Sequence, residues 1–122
     1  MSTQTVAILG ASPKPERYSH KALKALMEHG HDVIPVHPAR ADIDGIPTAR
    51  SLGEIPRPVD TLTVYVSPKH SLPLAEAIIR LRPGRVILNP GTESPELEAR
   101  LSEAGIAWQH ACTLVLLSTG QF

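Results

Sequence analysis

Apolar positions along this chain come in two rhythms that alternate, short unbroken runs and longer stretches with helical spacing. Thr5 to Leu9 is a nearly continuous apolar run, the pattern of a central strand covered on both faces. Ala22, Leu23, Leu26 and Met27 then recur at helical spacing, with Ser19 placed to cap that helix and Gly30 to stop it. Asp32 to Val36 predicts a second strand, whose Pro35 implies incomplete pairing. The segment 37–50 is irregular, with a short edge strand expected at Gly45-Ile46-Pro47. One helical turn is expected over Leu52 to Ile55, before Pro56 and Pro58. Val59 to Val66 predicts a third strand ending at Ser67-Pro68. Leu74, Ala75, Ala77, Ile78 and Leu81 give a helix that stops before Pro83-Gly84. Arg85 to Leu88 is a fourth strand, ending in Asn89-Pro90-Gly91-Thr92. Ser94 caps a helix through Leu97, Leu101 and Ala104 that Gly105 closes. A fifth strand over Ile106 to Gln109 and a closing helix over Thr113 to Thr119 complete the pattern.

Strands alternating with helices imply right-handed crossovers and a parallel sheet. The expected fold is therefore α/β and Rossmann-like: three layers, a parallel sheet of five or six strands, and helices on both faces. The main strands should lie in the order 2-1-3-4-5, with any strand near residues 46–48 outside the second. Such sheets bind ligands beyond the carboxyl ends of their strands, at the switch point beside the first strand. That rule selects four loops, at residues 10–19, 37–40, 67–69 and 89–92.

Bulk properties narrow the ligand. The 122 residues suit one domain, 1–122, too short for a dinucleotide domain with a separate catalytic domain. Twelve basic and twelve acidic residues cancel, so no nucleic-acid or anionic-membrane footprint is present. Aromatic residues at 3% leave no base-stacking platform. The single cysteine, Cys112, excludes an intramolecular disulfide and fits a reducing cytoplasm. No basic leader and no apolar run of ~20 residues appears, so a cytoplasmic protein with a small-molecule ligand is expected.

The first loop has Gly10 alone of the three glycines of a dinucleotide fingerprint. Ser12 and Arg17 close behind it, with Lys14 between, bring a hydroxyl and cations to a helix N-terminus, a setting suited to a pyrophosphate. The alternative reading of Lys14 and Arg17 is as ordinary solvated cations. The second strand ends in Val36-His37-Pro38-Ala39-Arg40, without the acid that holds a ribose diol in NAD sites. With Arg40 nearby, a phosphorylated ribose is favoured, the 2′-phosphate of NADP or the 3′-phosphate of coenzyme A. His37 either flanks an adenine or simply ends a strand.

Gly10-Ala11-Ser12, Arg17-Tyr18-Ser19, Pro35-Val36-His37-Pro38, Gly45-Ile46-Pro47, Val59-Asp60 and Asn89-Pro90-Gly91 together carry a family resemblance. The chain resembles the small stand-alone CoA-binding proteins, themselves similar to the N-terminal domain of the succinyl-CoA synthetase α subunit. The resemblance implies a coenzyme A ligand whose diphosphate meets the turn at Ala11 and Ser12, with Arg17 holding phosphate. It implies that Val36-His37-Pro38 and Arg40 receive the adenosine 3′-phosphate end. Val66-Ser67-Pro68 and Asn89-Pro90-Gly91 would line the way to the pantetheine arm. His37 stands where the family commonly has Asn, and Asn89 where many members have Gln. The synthetase's phosphohistidine domain and partner subunit have no counterpart in these residues, so the resemblance carries binding over and leaves catalysis behind.

The remaining chemistry is sparse. Six histidines, at 20, 29, 31, 37, 70 and 110, show no metal-ligand spacing, and His29-Gly30-His31 brackets a turn. Lys69 and His70 follow the third strand and read as crevice or surface residues alike. Cys112 follows the fifth strand, placing its thiol either in the core or near the coenzyme A sulfur. The expected function is non-catalytic binding of coenzyme A or a short acyl-CoA, with sensing or regulation as its use. The alternatives are a minimal NADP-dependent oxidoreductase and a purely structural role.

Overall fold

The computed structural model describes residues 3–122. Strand β1 (Thr5–Leu9) leads through a loop to helix α1 (Tyr18–Glu28) and strand β2 (Asp32–Val36). Two-residue strands β3 (Asp42–Ile43) and β4 (Ile46–Pro47) and a 3-10 turn at Leu52–Glu54 follow, then β5 (Thr61–Val64). Helix α2 (Pro68–Ser71) passes through a 3-10 turn at Leu72–Leu74 into α3 (Ala75–Leu81). Strand β6 (Arg85–Leu88), helix α4 (Pro95–Glu103), strand β7 (Ala107–His110) and helix α5 (Thr113–Ser118) end the order.

The sheet is parallel throughout and runs β2-β1-β5-β6-β7, the order expected for the five main strands. The alternation of side chains in β1 divides the core in two. Val6 and Ile8 pack with Leu23 and Leu26 of α1 and Leu117 of α5. Ala7 and Leu9 face the other way, with Ala75 and Ile78 of α3 and Leu97 and Leu101 of α4. This is the three-layer, Rossmann-like α/β arrangement. Among the described residues, no helix is long and apolar enough to cross a membrane.

Several local expectations are corrected. The strand expected beyond β2 is instead half of an antiparallel hairpin, β3–β4, outside the main sheet. Among the described residues, only a parallel bridge between Val36 and Ala49 lies on the outer edge of β2. Pro35 pairs with Ile8 in full register. Its carbonyl accepts the N–H of Ala49 at 2.9 Å, so the missing proline N–H faces the outer edge and disturbs no bond to β1. Arg17, not Ser19, is the residue before α1, and Ser19 lies buried in the first turn. Helical structure after β5 begins at Pro68 rather than Leu74. Pro73 has no N–H to continue an α-helix, and the chain tightens to 3-10 there before resuming at Ala75. Ser94 does cap α4, its Oγ accepting from Leu97 N at 3.3 Å while Glu98 Oε2 accepts the Ser94 N–H at 3.0 Å.

Candidate functional site

The turn after β1 is shaped by close approach. Gly10 has φ +90°, and a Cβ there would lie 2.7 Å from Val66 Cγ1 of the neighbouring strand end. Beyond it, Ser12 Oγ accepts the N–H of Lys14, and Arg17 N–H donates to the Lys14 carbonyl, each at 3.1 Å. The loop therefore curls into α1 with no side chain capping the helix. Lys14 and Arg17 are exposed, and neither joins an ion pair among the described residues. A hydroxyl, two uncommitted cations and an uncapped helix N-terminus converge on one turn, an arrangement that favours an anion.

At the end of β2, His37 Nδ1 accepts the backbone N–H groups of Ala39 and Arg40, each at 3.1 Å. That ring nitrogen is an acceptor, so Nε2 carries the proton and is a donor. At the other side of the sheet, Asn89 ends β6 in a buried network. Its Nδ2 donates to Thr63 Oγ1 at 2.7 Å and to the Val64 carbonyl at 2.9 Å, and its Oδ1 accepts the Thr113 N–H at 2.9 Å. The Thr63 and Thr113 hydroxyls lie 2.8 Å apart, and Thr92 Oγ1 donates to the Asn89 carbonyl at 2.8 Å. Burial pushes the Tyr65 phenol up to about 12.

These groups surround one crevice of about 700 Å³ along the carboxyl edge of the sheet. Gly10, Ser12, Lys14, Arg17, Tyr18 and Ser19 line it from the β1 turn and α1, His37 from β2, and Asn89 and Pro90 from β6. Ala11 and Val36 belong instead to the packed core. Pro38 and Arg40 are exposed outside the crevice lining, and Arg40 Nε donates to the Asp42 carbonyl at 3.2 Å. Val66 packs on the core, and Pro68 begins α2. Ser67 Oγ meets His70 Nδ1 at 3.1 Å on the exposed surface. Gly91, at φ +90°, gives its N–H to Glu93 Oε1 at 2.9 Å.

Pro13 and Thr92, which lie in the selected loops 10–19 and 89–92, also line the crevice, as do Tyr65 and Leu114, which nothing in the sequence singled out. Tyr65 lies within the span read as the third strand. Only the observed end of β5, at Val64, puts it at the crevice. Cys112 lines the end beside β7.

Comparison with known proteins shows the family and the fold. The family described as "CoA binding domain" matches residues 4–118. An uncharacterized protein, YneT of Bacillus subtilis, is 35% identical over 63 residues, covering 52% of this chain and 47% of that protein. The α subunit of acetate–CoA ligase [ADP-forming] II from Pyrococcus furiosus is 35% identical over 65 residues, 52% of this chain and 14% of that subunit. The matched stretches thus span less than half the length of either curated relative. A crystal structure of an uncharacterized protein superposes with a TM-score of 0.93 at 41% identity, covering 100% of both chains.

Proposed function

This chain belongs to the CoA binding domain family, and from that premise we propose that it is a non-catalytic module that binds coenzyme A or a short acyl-CoA. The observation that carries the reading is the turn at Ser12, Lys14 and Arg17, which offers a hydroxyl, two cations and a helix N-terminus to the same crevice that His37 enters. The diphosphate would lie on this turn. At the end of β2, where an acid would hold a free ribose diol, a histidine donor stands instead, which favours a phosphorylated ribose. The adenosine 3′-phosphate end would therefore face His37, with Arg40 beside the turn.

The pantetheine arm would follow the strand ends toward Asn89, Pro90 and Cys112. Four inter-strand steps separate β2 from β7, about 19 Å at the usual strand spacing, a span that suits an extended ligand. The binding-only role is supported by the way Thr63, Asn89 and Thr113 hydrogen-bond one another, holding structure rather than presenting a base to a nucleophile. The Pyrococcus relative, a subunit of an acetate–CoA ligase, supports the choice of coenzyme A as ligand.

Isothermal titration with coenzyme A, dephospho-coenzyme A, NADP and NAD tests the reading. Coenzyme A should bind tightest and lose affinity without its 3′-phosphate. A preference for NADP would move the protein to the oxidoreductases. Silence toward all four would refute a nucleotide ligand altogether.

A further inference from the structure

The low aromatic content predicts no platform for a run of stacked bases, but a single adenine needs only one ring. Histidines aside, the chain has four rings, at Tyr18, Tyr65, Trp108 and Phe122. Three of them are engaged elsewhere. Tyr65 packs on the α1 side of the core and buries its hydroxyl. Trp108 lies outside the crevice lining, its Nε1 donating to Ser102 Oγ at 2.8 Å. Phe122 is held at the amino ends of β2 and β6, with its ring 5.1 Å from that of His31 and 4.6 Å from the Arg85 guanidinium.

Tyr18 is the free one. It is 68% exposed and lines the crevice. Met27 and Val115, the other large apolar side chains exposed among the described residues, lie outside that lining. The Lys21 ammonium sits 5.1 Å from the Tyr18 centroid, over one face of the ring. An ammonium there covers one face only, and the exposure of the residue leaves room for a planar group on the other without any rearrangement.

Its place in the fold fixes which part of a ligand meets it. Helix α1 packs on Val6 and Ile8 of β1 and on Val33 of β2, so its first residue stands over the half of the crevice that His37 also enters. Tyr18 directly follows Arg17. A ligand whose diphosphate meets Arg17 and whose adenosine end faces His37 therefore carries its base past the Tyr18 ring.

We propose that Tyr18 is the base platform of this crevice: its ring stacks on the adenine and selects ligands that carry the nucleotide over those with phosphopantetheine alone. The inference rests on the coenzyme A reading and makes Tyr18 a specificity-determining residue of that site.

Calorimetric titration of the wild type, Tyr18→Ala, Tyr18→Phe and Tyr18→Trp with coenzyme A and with 4′-phosphopantetheine tests it, with tryptophan fluorescence followed on the same samples. Tyr18→Ala should weaken coenzyme A about five- to a hundredfold, the range that one base stack contributes. Tyr18→Phe keeps the ring and should bind as the wild type does. The affinity for 4′-phosphopantetheine, which lacks the base, should be the same in the wild type and in Tyr18→Ala. The indole that Tyr18→Trp introduces should be quenched when coenzyme A binds, while Trp108 in the wild type should show no such change. Coenzyme A affinity unchanged in Tyr18→Ala, an equal loss in Tyr18→Phe, an equal loss for 4′-phosphopantetheine, or binding to Tyr18→Trp without added quenching would each overturn the platform and leave the coenzyme A reading standing. Failure of the wild type to bind coenzyme A would overturn both.

Discussion

The side-chain oxygen of Asn89 accepts the backbone N–H of Thr113 at 2.9 Å, so the residue that ends β6 fixes where α5 begins. The same amide reaches back to the Val64 carbonyl and Thr63 at the end of β5. One side chain thus ties two strand ends and a helix start together. Of these groups Asn89 itself lines the crevice, and it is held there by contacts within the fold.

Replacing that amide tests the claim directly. Asn89→Ala leaves the buried Thr113 N–H without its acceptor and the Thr63–Thr113 hydroxyl pair without its donor. The expected loss is about 2–4 kcal/mol, a fall in melting temperature on the order of 10 °C. Chemical denaturation would check it, and a loss below about 0.5 kcal/mol, the range of ordinary surface changes, would contradict it.

Arg17 is expected to behave in the opposite way. It is exposed at the start of α1 and joins no ion pair among the described residues, so stability should not depend on it. If it contacts a phosphate, Arg17→Ala should weaken coenzyme A by ~1.5–3 kcal/mol, about ten- to a hundredfold, with the melting temperature unchanged. Calorimetry beside a thermal melt separates the two effects. Unchanged affinity would remove Arg17 from the site.

The contrast between these residues shows what the sequence could reveal. The β1 turn was legible because its signals are local: an apolar run, Gly10, then a hydroxyl and cations within a few residues. The strand order was legible because each long apolar run could play only one part in a parallel sheet. Strands β3 and β4 were not, since two residues cannot display a period, although Ile43 is fully buried against the α1 side of the core. The bond between Asn89 and Thr113 joins residues 24 apart, and no spacing rule predicts it. Tyr65 was hidden for a related reason: strand alternation alone does not say where pairing stops and the crevice begins.

Gly10 and Gly91 share φ +90° and should nonetheless respond differently to alanine. At Gly91 nothing lies within 4 Å of the added Cβ, so only backbone strain is introduced. At Gly10 the Cβ would also stand 2.7 Å from Val66 Cγ1 and 3.2 Å from the Tyr65 backbone carbon. Each variant should lose about 1–3 kcal/mol to strain, and Gly10→Ala more because strand ends must separate. Denaturation midpoints should rank wild type above Gly91→Ala above Gly10→Ala, with ligand affinity falling in the last. The reverse ranking of the two variants would show that the β1 turn is not tightly packed.

At the opposite edge of the sheet, His31 supplies a pH dependence independent of the crevice. Its Nδ1 accepts the Gln4 N–H at 3.1 Å, and its ring lies against Phe122 with centroids 5.1 Å apart. Burial first, then the charges of His29 and Arg85, holds its pKa below the ordinary histidine value. A histidine whose folded-state pKa is depressed favours the fold when neutral. Its contribution is complete above the unfolded value, about 6.5, and is lost as pH falls through the lower folded value. The protein should therefore melt at lower temperature at pH 5 than at pH 8. His31→Gln, which keeps an acceptor for Gln4 and cannot titrate, should flatten the profile across that window. An equally steep fall in the variant would assign the dependence to another group.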